Sequence, residues 1–447
     1  MLVTFSTGEG EDALKKVEDL KSKTSQLLYL LEKGTIQHYA KEFEASNKTF
    51  EEAEILSEQL YTKSISREAA SLLSSDNILP YTGEKFERAL INFYRAFNYV
   101  YLRKPEDALV ECRKVNALLQ RYSDQDAGKS SYSNDAFIQY LTGILYEWQG
   151  ELNDAFISYR QAEGAYQVYA SEFGIKPPSE LKDALLRLSE ALGFSQEHEY
   201  YLQKYGKDRK YKNNPDWGEL IVIHENGFVP KKVEENLVIP IFKNEKIDED
   251  TDLWKYSETL SARARSNIQI DEVKVQYLLR VAIPTYTSSR PRIAYMEVQV
   301  EPQLHEDKVR DIPVIGVDSQ TATSKLVEDI EAIAQRTFTQ RQNRILLKTL
   351  VRALMKYIAF KTAEEKKGEA AGFLVNLFNV ATESADTRSW LTLPNNIQMV
   401  RLPLPVGTFD LKLTFYDQAD GAISSTNIPN VIIRENDYTF LNYRTFQ

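Results

Sequence analysis

At 447 residues the chain is about twice what one hydrophobic core usually organises, so two or three structural regions are expected. Apolar residues at 43% and charged residues at 27%, with both signs mixed, exclude wholesale disorder. A formal charge of -10 lacks the basic excess of a nucleic-acid protein, and a single cysteine, Cys112, excludes an intrachain disulfide or thiolate metal cluster.

The opening "MLVTFST" reads either as the remnant of a trimmed export signal or as an ordinary starting strand. Just beyond it, Gly8, Gly10 and Ala13 match a loose dinucleotide fingerprint. That motif needs a parallel strand ending in an acidic residue about 20 positions on, and helical sequence follows instead, so no cofactor is expected. No apolar run approaches the roughly 18 residues of a membrane span; "FLVNLFNV", Phe373 to Val380, comes nearest.

Between residues 30 and 165 one spacing recurs. Gly143, Tyr146, Gly150, Ala155, Tyr159 and Ala162 stand at offsets 0, 3, 7, 12, 16 and 19. The corresponding positions hold Gly34, Ser46, Phe50 and Ala53 in one earlier stretch, and Ala96, Tyr99, Ala108, Cys112 and Val115 in another. Antiparallel helices approach closely only where a small residue faces the partner, and an aromatic fills the space beside it. The pattern resembles the tetratricopeptide repeat, a helix-turn-helix of about 34 residues. A fourth pair is expected from Pro177 to Gly206, broken at Gly193 and capping the stack. Such stacks expose a concave face that holds a partner, here with Asn92, Tyr99 and Gln139 as candidate lining residues.

Near residue 213 the composition changes, dividing the chain into a helical-repeat domain, 1–212, and an α+β domain, 213–447. Lys204, Lys207, Arg209, Lys210 and Lys212, interleaved with tyrosines, read as a solvated linker rather than a nucleic-acid patch, given the acidic whole. "ELIVIH" is the first strong strand, and "VKVQYLLRVAIPTY" and "RIAYMEVQVEP" read as a strand pair. Asp248, Asp250 and Asp252 have calcium-ligand spacing, but Leu253 and Thr259 stand where the loop needs glycine and glutamate. His38, His198, His224 and His305 form no metal pattern, and no catalytic or metal-binding residue is expected.

From Thr323 the period becomes helical over one or two long helices, on which Arg344, Lys348, Arg352 and Lys356 recur every four residues. This basic ridge could meet an anionic membrane or acidic partner, or be a solvated face. In "ESADTRSW", Asp386, Arg388 and Trp390 combine a charge pair with an aromatic, as a binding loop or as a structural clamp. The tail returns to period 2, with a hairpin turn at Asp420–Gly421, as a small antiparallel sheet or sandwich. The fold class is therefore α + (α+β), an irregular repeat array followed by antiparallel strands with inserted long helices.

"HENGFVP" (His224 to Pro230), "VAIPTY" (Val281 to Tyr286) and "ESADTRSWLTLP" (Glu383 to Pro394) make the chain resemble a family of bacterial tetratricopeptide-containing envelope lipoproteins. The resemblance implies a non-enzymatic helper in the periplasm or at the outer membrane, anchored by lipid on an N-terminal cysteine. Here Phe5 precedes "STG", and no cysteine stands near the start. The expected function is a protein-protein interaction scaffold with one partner on the repeats and a second on the other half, without cofactor or nucleic acid. The alternatives are a hydrolase or cofactor-dependent enzyme in the second half, and a cytoplasmic location.

Overall fold

A computed structural model describes residues 10–66, 79–125, 132–206, 217–265, 275–303, 320–367 and 384–446. The expectations placed on residues 1–9, on the boundary near 213, on Phe373 to Val380 and on His305 lie outside the described residues.

The first half is helical: α1 (Gly10–Glu18), α2 (Gln26–Tyr39), α3 (Phe43–Ser66), α4 (Lys85–Tyr101), α5 (Pro105–Gln125), α6 (Ala136–Trp148), α7 (Leu152–Glu172), α8 (Ser179–Ala191) and α9 (Ser195–Tyr205). Side-chain caps set the helix starts. Ser25 Oγ accepts from the Leu28 amide, and Asp135 Oδ1 accepts from the Ile138 amide at 2.8 Å. From α2 onward the helices stack as antiparallel pairs, and the recurrent spacing is their packing code. A Cβ on Gly143 would stand 2.4 Å from the Tyr159 ring, and one on Gly34 would stand 2.7 Å from the Phe50 ring. In both pairs only glycine lets the aromatic of the second helix press against the first. The last pair, α8 and α9, turns at Gly193 with φ +68°.

The second half supplies β1 (Trp217–Asn226), β2 (Lys231–Phe242), α10 (Leu253–Ala264), β3 (Val275–Thr287), β4 (Tyr295–Pro302), β5 (Gln320–Thr323), β6 (Lys325–Asp329), α11 (Ile330–Lys367), β7 (Asn396–Pro405), β8 (Gly407–Tyr416), β9 (Ala422–Ile433) and β10 (Tyr438–Thr445). One sheet runs β10–β1–β7–β6, another β5–β4–β8–β9. β10 lies parallel to β1, so the tail is not purely antiparallel. β3 and β4 do not pair with each other: β3 pairs with β2, and β4 with β5 and β8. β2 escapes the sequence reading because "KKVEENLV" exposes most of its side chains.

β1 is apolar on both faces because it is buried on both. Leu220 and Val222 face the second sheet, packing with Val298, Leu411 and Leu413. Ile221 and Ile223 share the helical core with Tyr94, Tyr166 and Trp390. The order is thus helices, sheet, sheet, with one continuous core across the first two layers. The antiparallel β2–β3 pair, α10 and the second part of α11 enclose a separate cluster around Ile239, Leu279 and Leu350. Among the described residues no helix is long and apolar enough to cross a membrane.

Candidate functional site at the seam of helices and sheet

The seam between repeats and sheet is polar at its centre. β1 ends in His224, Glu225 and Asn226, all fully buried. Glu225 accepts hydrogen bonds from the Tyr39 hydroxyl, the Tyr94 hydroxyl at 2.7 Å and Asn442 Nδ2 at 2.9 Å. Arg444 Nη1 stands 3.9 Å from the same carboxylate. A buried carboxylate is tolerated only when paired and bonded in this way. His38 Nδ1 lies 2.6 Å from Asn98 Oδ1, and Asn442 Nδ2 lies 3.0 Å from His38 Nε2. An acceptor on one side and a donor on the other put the single proton on Nδ1. Burial disfavours the charged ring and lowers its pKa. Helices α2 and α4 thus grip β1 and β10 through buried hydrogen bonds.

A second contact locks the loop before β7. Trp390 is fully buried, and its Nε1 donates to Thr35 Oγ1 at 2.9 Å. Its backbone amide donates to Glu87 Oε1, and the next amide, of Leu391, donates to Glu32 Oε1, both at 2.8 Å. Burial pushes the Glu32 carboxyl up to about 7, and neighbouring Glu87 adds to the rise. Arg388 turns back on Asp386 at 2.8 Å, donates to the Leu79 carbonyl and lies 5.5 Å from the Tyr81 ring. In this loop Arg388 and Trp390 both make contacts within the chain.

At the rim of the seam a cleft of about 660 Å³ opens between α6, α8, the first residues of β1 and β10, and the end of β7. Arg401 is its buried anchor. Its Nη2 donates to Glu147 at 3.0 Å and to Glu219 at 2.8 Å, and its Nη1 donates to the Tyr159 hydroxyl at 2.9 Å. Burial opposes ionisation of Glu147, but Arg187 and Arg401 outweigh it and hold the carboxyl at about 2. Trp148 Nε1 donates to Asp437 at 2.9 Å, and Arg103 forks onto both Asp437 oxygens at 2.7 and 2.6 Å. A smaller groove of about 470 Å³ lies between α3, α4 and α5, lined by paired charges including Glu58, Arg88 and Arg121.

The residues singled out from sequence are not brought together. Asn92 is 2% exposed and donates to Glu111 at 2.8 Å; Gln139 is 6% exposed and bonds Asn134. Tyr99 is half-buried against the helical core. Asn92 lines the groove between α3, α4 and α5, beside Arg88 and Lys114. Along α11, Arg344 is exposed, Lys348 and Lys356 are half-buried, and Arg352 is only 3% exposed, so the four do not make one open ridge. Asp252 caps α10 through the Lys255 amide, and Asp248 accepts from Thr251, giving the acidic loop a structural use.

Sequence reasoning passed over Glu225, Tyr94, Asn442, Arg444, Glu147 and Arg401. Their only local signal is polarity at the wrong place: "HEN" closing the apolar run of β1, and Arg401 inside "MVRLPLP".

No family model and no curated protein matches the sequence. Among solved structures the chain is similar to MamA, at 14% identity over 45% of this chain and 89% of that one, with a TM-score of 0.29. It is also similar to the TPR-like repeats of a kinesin light chain from Podosopora anserina, at 14% identity over 45% and 87%, TM-score 0.29. A third is BtubC (BKLC) from P. vanneervenii, at 15% identity over 48% and 95%, TM-score 0.24.

Proposed function

We propose that this chain is a non-catalytic protein-protein interaction scaffold of a bacterial cell-envelope assembly. One observation carries the reading: the inner surfaces of α2, α4 and α6, which a repeat stack offers to a partner, hold the chain's own sheet. Partners therefore meet the rim cleft and the outer groove instead. The carboxylates an enzyme could use, Glu32, Glu87 and Glu225, are engaged by backbone amides and by hydroxyl and amide side chains, which supports a structural role. The envelope placement rests on the three phrases of the resemblance. Two of them meet at the seam, where the Val229 amide donates to the Leu393 carbonyl.

The test is site-specific photo-crosslinking in bacterial cells, with the reactive residue at Gln149 in the cleft or at Val406, which is 55% exposed and outside it. A discrete protein adduct from position 149 and none from 406 is expected. Adducts from neither position would remove the scaffold reading.

A further inference from the structure

We propose that the outer face of the second sheet, at the end held by Tyr295 and Tyr416, receives a lysine- or arginine-bearing segment of a protein partner. The inference rests on the scaffold reading and gives the α+β half a docking surface of its own. In the sheet β5–β4–β8–β9, Met296, Val298, Leu413 and Phe415 face the core, so the alternate residues Tyr295, Glu297, Thr414 and Tyr416 face outward. Tyr295 and Tyr416 stand opposite each other across the two strands, with ring centroids 5.0 Å apart and planes inclined by 15°.

Three carboxylates surround this ring pair, and each is answered by neutral donors. Asp420 Oδ1 accepts from the Tyr295 hydroxyl at 2.8 Å, and Glu297 Oε1 from the Tyr416 hydroxyl at 3.4 Å. Asp417 Oδ1 accepts from the Ala419 and Gly421 amides at 2.9 and 2.8 Å, which fixes the turn between β8 and β9. The hydrogen bond to Asp420 foremost, and the charges of Asp420 and Glu297 after it, push the Tyr295 hydroxyl up to about 12. The nearest cations along the two strands, Arg292 and Lys412, are exposed. Among the described residues no cation pairs with the three carboxylates or lies over either ring. Elsewhere the chain shows what such a surface holds: Arg103 lays its guanidinium 5.3 Å from the Trp148 ring while forking onto Asp437. An aromatic plane beside a carboxylate is the pairing that selects a guanidinium or ammonium group. At Tyr295 and Tyr416 the same pairing stands without its cation. A neutral saccharide would use the rings and leave the charge unanswered, and an anionic partner would be repelled.

The test uses the full chain and three probes: a heptapeptide alternating lysine and arginine with glycine, the same peptide with glutamate at the charged positions, and a neutral hexasaccharide of N-acetylglucosamine. Binding is read by calorimetry at 50 and 300 mM sodium chloride. The basic peptide is expected to bind, with affinity falling at least fivefold at the higher salt, and the other two are not. Glu297→Gln with Asp420→Asn should weaken binding at least tenfold at an unchanged thermal midpoint, since asparagine tolerates the left-handed φ of +61° at this turn. Glu297→Gln alone, which leaves the turn untouched, should weaken it at least threefold, and Glu301→Gln, farther along the same face, less than twofold. No binding of the basic peptide, equal binding of the acidic one or of the sugar, or binding indifferent to Glu297→Gln would overturn the assignment. Val406 precedes β8, roughly 30 Å from Tyr416 at its far end, so the crosslinking control stays outside this surface. If the peptides fail and crosslinking at Gln149 still captures a partner, the scaffold reading stands and the cationic assignment alone falls.

Discussion

Glu32→Gln separates the cost of a buried carboxyl from the value of its hydrogen bond. In the folded chain burial lifts this group from an ordinary 4.5 to about 7. The folded state therefore holds the proton more tightly than the unfolded chain. Stability falls as pH rises from about 4.5 to about 7 and is level above that, where both states are ionised. At about 1.4 kcal/mol per unit, the full effect is roughly 3 kcal/mol. Glutamine keeps an oxygen for the Leu391 amide and carries no charge. At pH 5 the two proteins should agree to about 1 kcal/mol. At pH 8 the variant should be the more stable by up to about 3 kcal/mol, measured by urea denaturation followed by circular dichroism. An advantage that does not grow between pH 5 and pH 8 would show that Glu32 does not hold a proton in the seam.

Arg401→Met should cost about 2–4 kcal/mol by leaving Glu219 half-buried without its cation and Glu147 with Arg187 alone, read as a lower thermal midpoint that Glu219→Gln partly restores. Gly143→Ala drives a methyl into the Tyr159 ring and should cost about 1–3 kcal/mol, whereas Gly164→Ala, on an open helix surface, should gain up to about 1 kcal/mol; thermal denaturation compares the two. Residues 1–212 expressed alone expose the apolar seam of α2 and α4, and should bind a hydrophobic dye and melt without a sharp transition, unlike the full chain.

The repeat was legible because its code is local: Gly34 and Phe50, or Gly143 and Tyr159, meet at a fixed offset within one helical pair. The β8–β9 hairpin was legible for the same reason, its strands lying on either side of Asp420 and Gly421. The seam was not, because its partners are distant in sequence. Tyr94 meets Glu225 across 131 positions, and Trp390 meets Thr35 across 355. No periodicity encodes such a pairing; a buried polar residue in an apolar strand shows only that some partner exists. The reading of β3 and β4 as a pair failed because adjacency in sequence is a weak guide to adjacency in a sheet. β3 pairs with β2 instead, and β4 with β5 and β8.

The order in which the chain is made gives the seam a history. Glu225 lies on β1, but Asn442 and Arg444, which help satisfy it, lie on β10, the last strand. Asn226 and Thr445, bonded at 3.1 Å in the finished molecule, are separated by 219 residues. At about 5–20 residues per second, roughly 10 to 45 s pass between the synthesis of one and the other. Throughout that interval the helices and β1 can meet, but their central carboxylate lacks its arginine. A chain that stops short of β10 lacks the Asn442 and Arg444 contacts to Glu225 and leaves that edge of β1 unpaired, which should raise its exposure to chaperones and proteases.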